Sequence, residues 1–185
     1  LLVHELLEQA SGEAIRLALL SAHYRQPLDW TDDGLDRATK MLDRLYGAAR
    51  ALSEVDASPD AAPDPDFIAA LNDDLNTPKA MAALFELARQ ANVATAEDDK
   101  RRIKGTLLAS AALIGLLEQD PEDWFSGNSD DGDGPDPAEI ETLIEARNDA
   151  RAAKDFAESD RIRDELSAKG ILLEDGAGGT KWRRA

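Results

Sequence analysis

The sequence predicts a mainly α protein: an antiparallel helical bundle followed by a small α+β domain of two helices and a β-hairpin. Three observations carry this expectation. Ala and Leu are abundant and aromatics make up only 5% of the 185 residues, a balance that favours helix. Apolar residues recur at helical spacing as far as Leu117, broken by short loops. After Gly170 the pattern changes to two short strand-like runs around Gly176-Ala177-Gly178-Gly179.

Each element has its own signals. Val3 to Gln9 reads as a short helical stretch. Ser11 caps a helix to about Tyr24, with Ile15, Leu17, Ala18, Leu19 and Leu20 as a broad apolar side, and Pro27 closes it. Thr31 caps the next, whose stripe runs Leu35, Ala38, Met41, Leu42, Leu45, Ala49, Leu52. Ser58 to Pro65 holds three prolines and reads as a loop. Asp64-Pro65 opens a further helix, with proline at its first position. Thr77 is expected to cap the helix that Pro78 begins, and Thr95 a last bundle helix ending near Leu117. Short connections between such helices give antiparallel neighbours.

Gln119 to Pro135 changes character. From Ser126 to Pro135 it is Gly, Ser, Asn and Asp with a closing proline, and is expected to be a flexible acidic linker. Asp136-Pro137-Ala138-Glu139 then has the form of a helix start. Asp155 caps a second helix that Gly170 ends. Ile171–Asp175 and Thr180–Arg183 form the hairpin. The expected core of this unit is Ile140, Leu143, Ile144, Phe156, Ile162, Leu166, Ile171, Leu173 and Trp182.

Composition excludes several function classes. The chain has no cysteine, hence no disulfide framework, thiolate metal site or thiol nucleophile. His4 and His23 stand apart from other ligand-type residues at metal spacing. Asp73-Asp74 and Glu97-Asp98-Asp99 read as first-turn or solvated charges, and Gly176–Gly179 as a hairpin turn and not a phosphate cradle. No catalytic constellation and no metal site is expected. No apolar run reaches membrane-spanning length, so no membrane is expected as partner; DNA is not expected either, and the lack of cysteine suits a cytoplasmic setting. The chain starts Leu1-Leu2-Val3 inside a helical pattern, and we read it as part of a longer protein.

Net charge is −17, which opposes nucleic-acid binding, but it is unevenly spread. Residues 1–135 hold 26 acidic and 12 basic residues, whereas residues 136–185 hold 12 and 9. The end, Lys181-Trp182-Arg183-Arg184, is basic with an aromatic among the cations, and is the better place for RNA.

Three stretches carry a family resemblance. Gly12-Glu13-Ala14-Ile15-Arg16 through His23-Tyr24-Arg25-Gln26-Pro27-Leu28-Asp29-Trp30 resembles the segment after the KMSKS signature of cysteinyl-tRNA synthetases. Phe67 through Asp73-Asp74-Leu75-Asn76-Thr77-Pro78 is similar to the "DDxNTP" helix junction of that family. Arg151 to Phe156, then Asp160, Arg163, Leu166, Gly170–Gly176 and Gly179-Thr180-Lys181-Trp182-Arg183-Arg184, resembles its C-terminal anticodon domain. The resemblance implies four parts. Residues 1–30 are the segment after the KMSKS loop, 31–118 a DALR-like bundle, 119–135 the linker, and 136–185 the anticodon-binding domain.

The same resemblance implies a function. The parent enzyme would charge cysteine tRNA using ATP and a zinc ion, but the family's HIGH, KMSKS and zinc-ligand motifs have no match here. This chain alone is expected to be inactive, with cysteine tRNA and its own catalytic domain as partners. Asp160 and Arg151 are the candidates for pairing with the anticodon guanine. Arg163 would hold Asp160 or reach phosphate. Asp175 would accept from a cytosine or adenine amino group, and Trp182 or Phe156 would stack on a base. Arg16, Tyr24 and Arg25 are candidates for touching the tRNA stem.

From spacing alone, the same residues have plainer readings. Asp160 and Arg163 form an exposed helical ion pair, Arg151 is a helix C-terminal cation, Asp175 is a turn residue, and Phe156 and Trp182 are core. Two other functions stand beside the main one. The first is an acidic helical module that binds a protein partner. The second is a related ligase that joins cysteine to an amino sugar in mycothiol synthesis, which has no anticodon to read.

Overall fold

Thr31, Asp64, Asp136 and Asp155 each close a loop and open a helix, because each side-chain oxygen accepts a backbone N–H of the first turn. The computed structural model describes residues 2–126, 135–176 and 179–184. It falls into two units, Leu1–Pro121 and Glu122–Ala185.

The first unit holds α1 (Val3–Leu7), α2 (Gly12–Leu20), α3 (Asp32–Ala51), α4 (Pro65–Asn72), α5 (Thr77–Val93) and α6 (Glu97–Ala112). α5 packs against α3, α4 and α6, and α2 covers α3. The stripe expected of α3 is the buried one, with Leu42, Leu45 and Leu52 fully enclosed and Met41 at the margin. Phe67, Leu84 and Leu107 join them from the other helices. Among the described residues, no helix is long and apolar enough to cross a membrane.

The bundle's local differences from expectation have physical causes. α2 ends at Leu20, with Ser21 as its C-cap, well before Pro27. Asn76, not Thr77, caps α5: its Oδ1 accepts Lys79 N at 3.2 Å, and Thr77 becomes the first helical residue. α6 starts after Ala96 with no side-chain cap, so the three acids of its first turn face the helix dipole directly. It stops at Ala112, short of Leu117, because Gly115 and Leu117 take positive φ of 68° and 59°. α2 stabilises that turn. Arg16 Nη1 donates to the Gly115 carbonyl, and the Leu117 amide donates to buried Glu13. Glu13 also accepts from the buried Tyr46 hydroxyl at 2.6 Å, which together with burial pushes the phenol pKa up. A buried tyrosine needs such a partner.

The Pro-rich loop expected at Ser58–Pro65 lies against α6. Ser58 N donates to Arg101 O at 3.1 Å and Asp64 N to Ser110 Oγ at 2.9 Å. The approach is close enough that a Cβ on Gly105 would sit 2.4 Å from the Ala61 methyl.

The second unit holds α7 (Pro121–Ser126, from its second residue on), α8 (Pro137–Ala152), α9 (Phe156–Ala168), β1 (Ile171–Gly176) and β2 (Gly179–Arg184). α7 is helix inside the stretch expected to be linker. The rest of that expectation, on residues 127–134, lies outside the described residues, as do the turn positions 177–178. β1 and β2 pair antiparallel, with Leu173 opposite Trp182 and Asp175 opposite Thr180. Gly170 ends α9 at φ 74°, as its C′ position requires. Ile140, Ile144, Ile162, Leu166, Ile171 and Trp182 form the core, with Leu143 and Leu173 packed at its edge.

One core assignment fails. Phe156 is 64% exposed, whereas Trp182 is 7% exposed. Phe156 is the first residue of α9, off the buried Ser159–Ile162–Leu166 face. Trp182 points inward from β2 between outward Lys181 and Arg183, and its indole N–H donates to Glu141 Oε1 at 2.7 Å. Trp182 is therefore a core residue and does not present an open face for stacking.

Candidate functional site

The inner face of α8 begins apolar and ends cationic. Ile140, Ile144, Arg147 and Arg151 recur at steps of four, three and four, so they share one face. The isoleucines enter the core. At the end of the helix, Arg147 and Arg151 meet Asp175 at the outer end of β1.

Asp175 is the centre of this group. Its Oδ1 accepts Arg147 Nη1 at 3.0 Å and Thr180 Oγ1 at 2.8 Å. Its Oδ2 accepts Arg147 Nη2 at 2.9 Å and Arg151 Nη1 at 3.0 Å. A carboxylate offers about four acceptor positions, and these bonds take them up. The hydrogen bonds from Arg147, then that from Thr180, hold the Asp175 carboxyl far below the usual carboxylate range. Asp175, expected to meet a base amino group, makes these four contacts within the chain. Arg147, which the sequence reading missed, is only 6% exposed. Its signal was present: a cation in an inner-face position of α8.

α9 supplies the exposed part. Phe156, Asp160 and Arg163 lie at i, i+4 and i+7, on one stripe flanking the buried face. Asp160 Oδ1 and Arg163 Nη1 are 3.1 Å apart, so the ion pair expected from spacing forms. Arg163 also holds Asp164 at 3.1 Å. The hydrogen bonds that Arg147 donates to Asp175 are the main cause of its raised pKa, and the Asp160 charge adds to it. Asp160 therefore stands within electrostatic range of the Arg147–Asp175 group. Arg151, half exposed, keeps further N–H donors beyond the one given to Asp175.

The basic end of the chain is less available than its sequence suggests. Lys181 pairs with Glu122 at 3.0 Å and Arg183 with Glu174 at 3.1 Å. Arg184 donates to the Ser126 carbonyl at 2.7 Å and to that of Pro135 at 3.0 Å, fastening the two residues that flank 127–134.

In the first unit, two of the sequence stretches singled out above meet at Asp74. The Tyr24 hydroxyl donates to Asp74 Oδ1 at 2.7 Å, Arg25 Nη1 lies 3.2 Å from Oδ2, and Arg25 Nε donates to the Tyr24 oxygen at 2.8 Å. Asp74 and Leu75 have positive φ of 56° and 52°, the sharp turn between α4 and α5. Arg16 is engaged at Gly115 and lies 3.6 Å from Glu118. All three candidate stem-contact residues thus make contacts inside the bundle. Among the described residues there is no group of three or more His, Cys, Asp or Glu side chains arranged to hold a metal.

Two family models match the chain. The DALR domain covers residues 66–118, and the cysteinyl-tRNA ligase anticodon binding domain covers residues 135–183. The cysteine–tRNA ligase of Parvibaculum lavamentivorans is 60% identical over 187 residues, covering 100% of this chain and 40% of the relative. That of Paramagnetospirillum magneticum is 56% identical over 183 residues, covering 98% and 40%. That of Rhodospirillum rubrum is 50% identical over 183 residues, covering 99% and 40%. The chain spans about 40% of the length of these curated relatives.

Proposed function

Because the chain belongs to the cysteinyl-tRNA ligase family, matching its C-terminal part, we propose that its second unit binds the anticodon loop of a cysteine tRNA. The observation that carries this reading is the exposed stripe Phe156–Asp160–Arg163 beside Arg151. The stripe carries an exposed aromatic ring, an exposed carboxylate and a half-exposed guanidinium on α9, and α8 adds the half-exposed guanidinium of Arg151. RNA sequence is read mostly in loops, where unstacked bases offer a flat face and a hydrogen-bonding edge. Guanine presents two adjacent donors, which Asp160 accepts together, and a carbonyl oxygen, which Arg151 meets. Phe156 gives a base a stacking surface worth about 1–3 kcal/mol. Arg163 steadies Asp160 or turns to phosphate. In this proposal Asp175 orients Arg151, and Trp182 supports the surface from within the core.

We assign Arg16, Tyr24 and Arg25 to the scaffold; of these, Arg25 is the most exposed and the best placed to turn to a stem phosphate. Among the described residues, no group of His, Cys, Asp or Glu side chains is arranged to hold a zinc ion. We place cysteine activation with ATP and zinc, and the catalytic domain that performs it, in the part of the relatives that this chain does not span, and the setting in the cytoplasm. The match over 135–183 favours this reading over an amino-sugar ligase and over an acidic protein-binding module.

A filter-binding assay tests it. The chain is expected to prefer cysteine tRNA over the same tRNA with its first anticodon base changed. Equal binding to the two would overturn the anticodon reading.

A further inference from the structure

We propose that Arg147, a buried residue out of reach of the RNA, is the positioning residue that sets how sharply the anticodon guanine is distinguished. The inference rests on the anticodon reading above and adds the device that makes the surface selective. Arg147 grips both oxygens of Asp175 in a bidentate pair, at 3.0 and 2.9 Å. This fixes the plane of the carboxylate. The same Oδ2 that accepts from Arg147 also accepts from Arg151, at 3.0 Å. The direction of the half-exposed Arg151 fork is therefore set by Asp175, and that of Asp175 by Arg147.

Thr180, opposite Asp175 in the hairpin, closes the group by donating to Oδ1. α8 and both strands thus converge on one carboxylate. A recognition group held in place before binding loses less freedom when it binds, and a wrong base cannot recruit it by letting it swing.

A second observation indicates that Arg147 is not there for stability alone. Its Nε is buried with no hydrogen-bond partner. An unsatisfied buried donor is unfavourable, and a buried ion pair is often no better for stability than an apolar side chain of similar volume. A methionine at this inner-face position would extend the apolar face of Ile140 and Ile144. What methionine cannot do is orient Asp175. Lysine keeps a cation there but loses the planar fork that grips both oxygens.

The test compares the full chain with Arg147→Met, Arg147→Lys and Arg151→Ala. Each is titrated with cysteine tRNA and with the same tRNA carrying a changed first anticodon base, and the thermal melting of each protein is followed. Both Arg147 variants are expected to stay folded at the binding temperature and to lose discrimination by roughly tenfold, approaching Arg151→Ala. Full discrimination in both Arg147 variants, with loss in Arg151→Ala, would overturn the positioning role and leave the anticodon reading standing. A loss that follows the unfolded fraction would overturn it in favour of a purely structural role. No discrimination even in the unsubstituted chain would overturn the anticodon reading and this inference with it.

Discussion

Asp160→Ala is expected to cost about 1–3 kcal/mol of discrimination between cysteine tRNA and a first-base variant, the range for a bidentate contact to a base edge. The melting temperature is expected to stay nearly unchanged. The separation of the two effects follows from the surroundings of Asp160. It is 62% exposed, and its ion-pair partner Arg163 keeps Asp164 when Asp160 is removed. Exposed helical ion pairs contribute only a few tenths of a kcal/mol. The carboxylate therefore contributes little to the free chain, and in the proposed complex it accepts two donors of guanine. Paired titrations and melting curves of the two proteins check this. A large fall in melting temperature with discrimination intact would return Asp160 to a purely structural role.

Ile162→Ala should have the larger effect on the fold. Ile162 is 1% exposed at the centre of the second unit's core, which has six buried members. Truncating a buried isoleucine to alanine costs about 2–5 kcal/mol. A unit of this size rarely draws more than about 3–5 kcal/mol from one apolar core, so the substitution consumes most of its stability. Amide-exchange protection in β1 and β2 is expected to collapse, and anticodon discrimination with it. Because Phe156 and Asp160 sit on α9 next to the buried face that Ile162 belongs to, the proposed reading surface exists only while that face is docked. Retained protection in the hairpin would mean that the core is shared differently from the packing described above.

The helix starts were legible in the sequence because their physics is local. Thr31, Asp64, Asp136 and Asp155 each satisfy backbone donors two or three residues ahead. The end of α6 was not legible, since Glu13 and Arg16, about a hundred residues earlier, stabilise the turn at Gly115–Leu117. That Trp182 is in the core and Phe156 is not was no more legible. Both are aromatic residues in a small unit; the hairpin sets Trp182 opposite Leu173 on the inward side, and Phe156, first in α9, lies off that helix's buried face.

At the candidate site, the exposed residues Arg151, Asp160 and Arg163 could be named from a family resemblance and occur on adjoining helices. Their support could not be named in the same way. Arg147 was hidden because a cation was not expected on a core-facing stripe, and the partners of Asp175, which lie on α8 and β2, could not be read from either the resemblance or the turn-like spacing. The basic tail looked available for the same reason: its partners Glu122, Ser126 and Pro135 lie about fifty to sixty residues away in sequence.

The central claim is that recognition sits on one face of the second unit, and the most direct measurement is a residue-resolved footprint. The chain, isotope-labelled for amide chemical-shift mapping, is titrated with an RNA stem-loop carrying the cysteine anticodon. The account predicts perturbations concentrated around Arg151, Phe156, Asp160 and Arg163, which fade when the first anticodon base is changed. Perturbations centred instead on the helices of the first unit, or a footprint indifferent to that base, would contradict it.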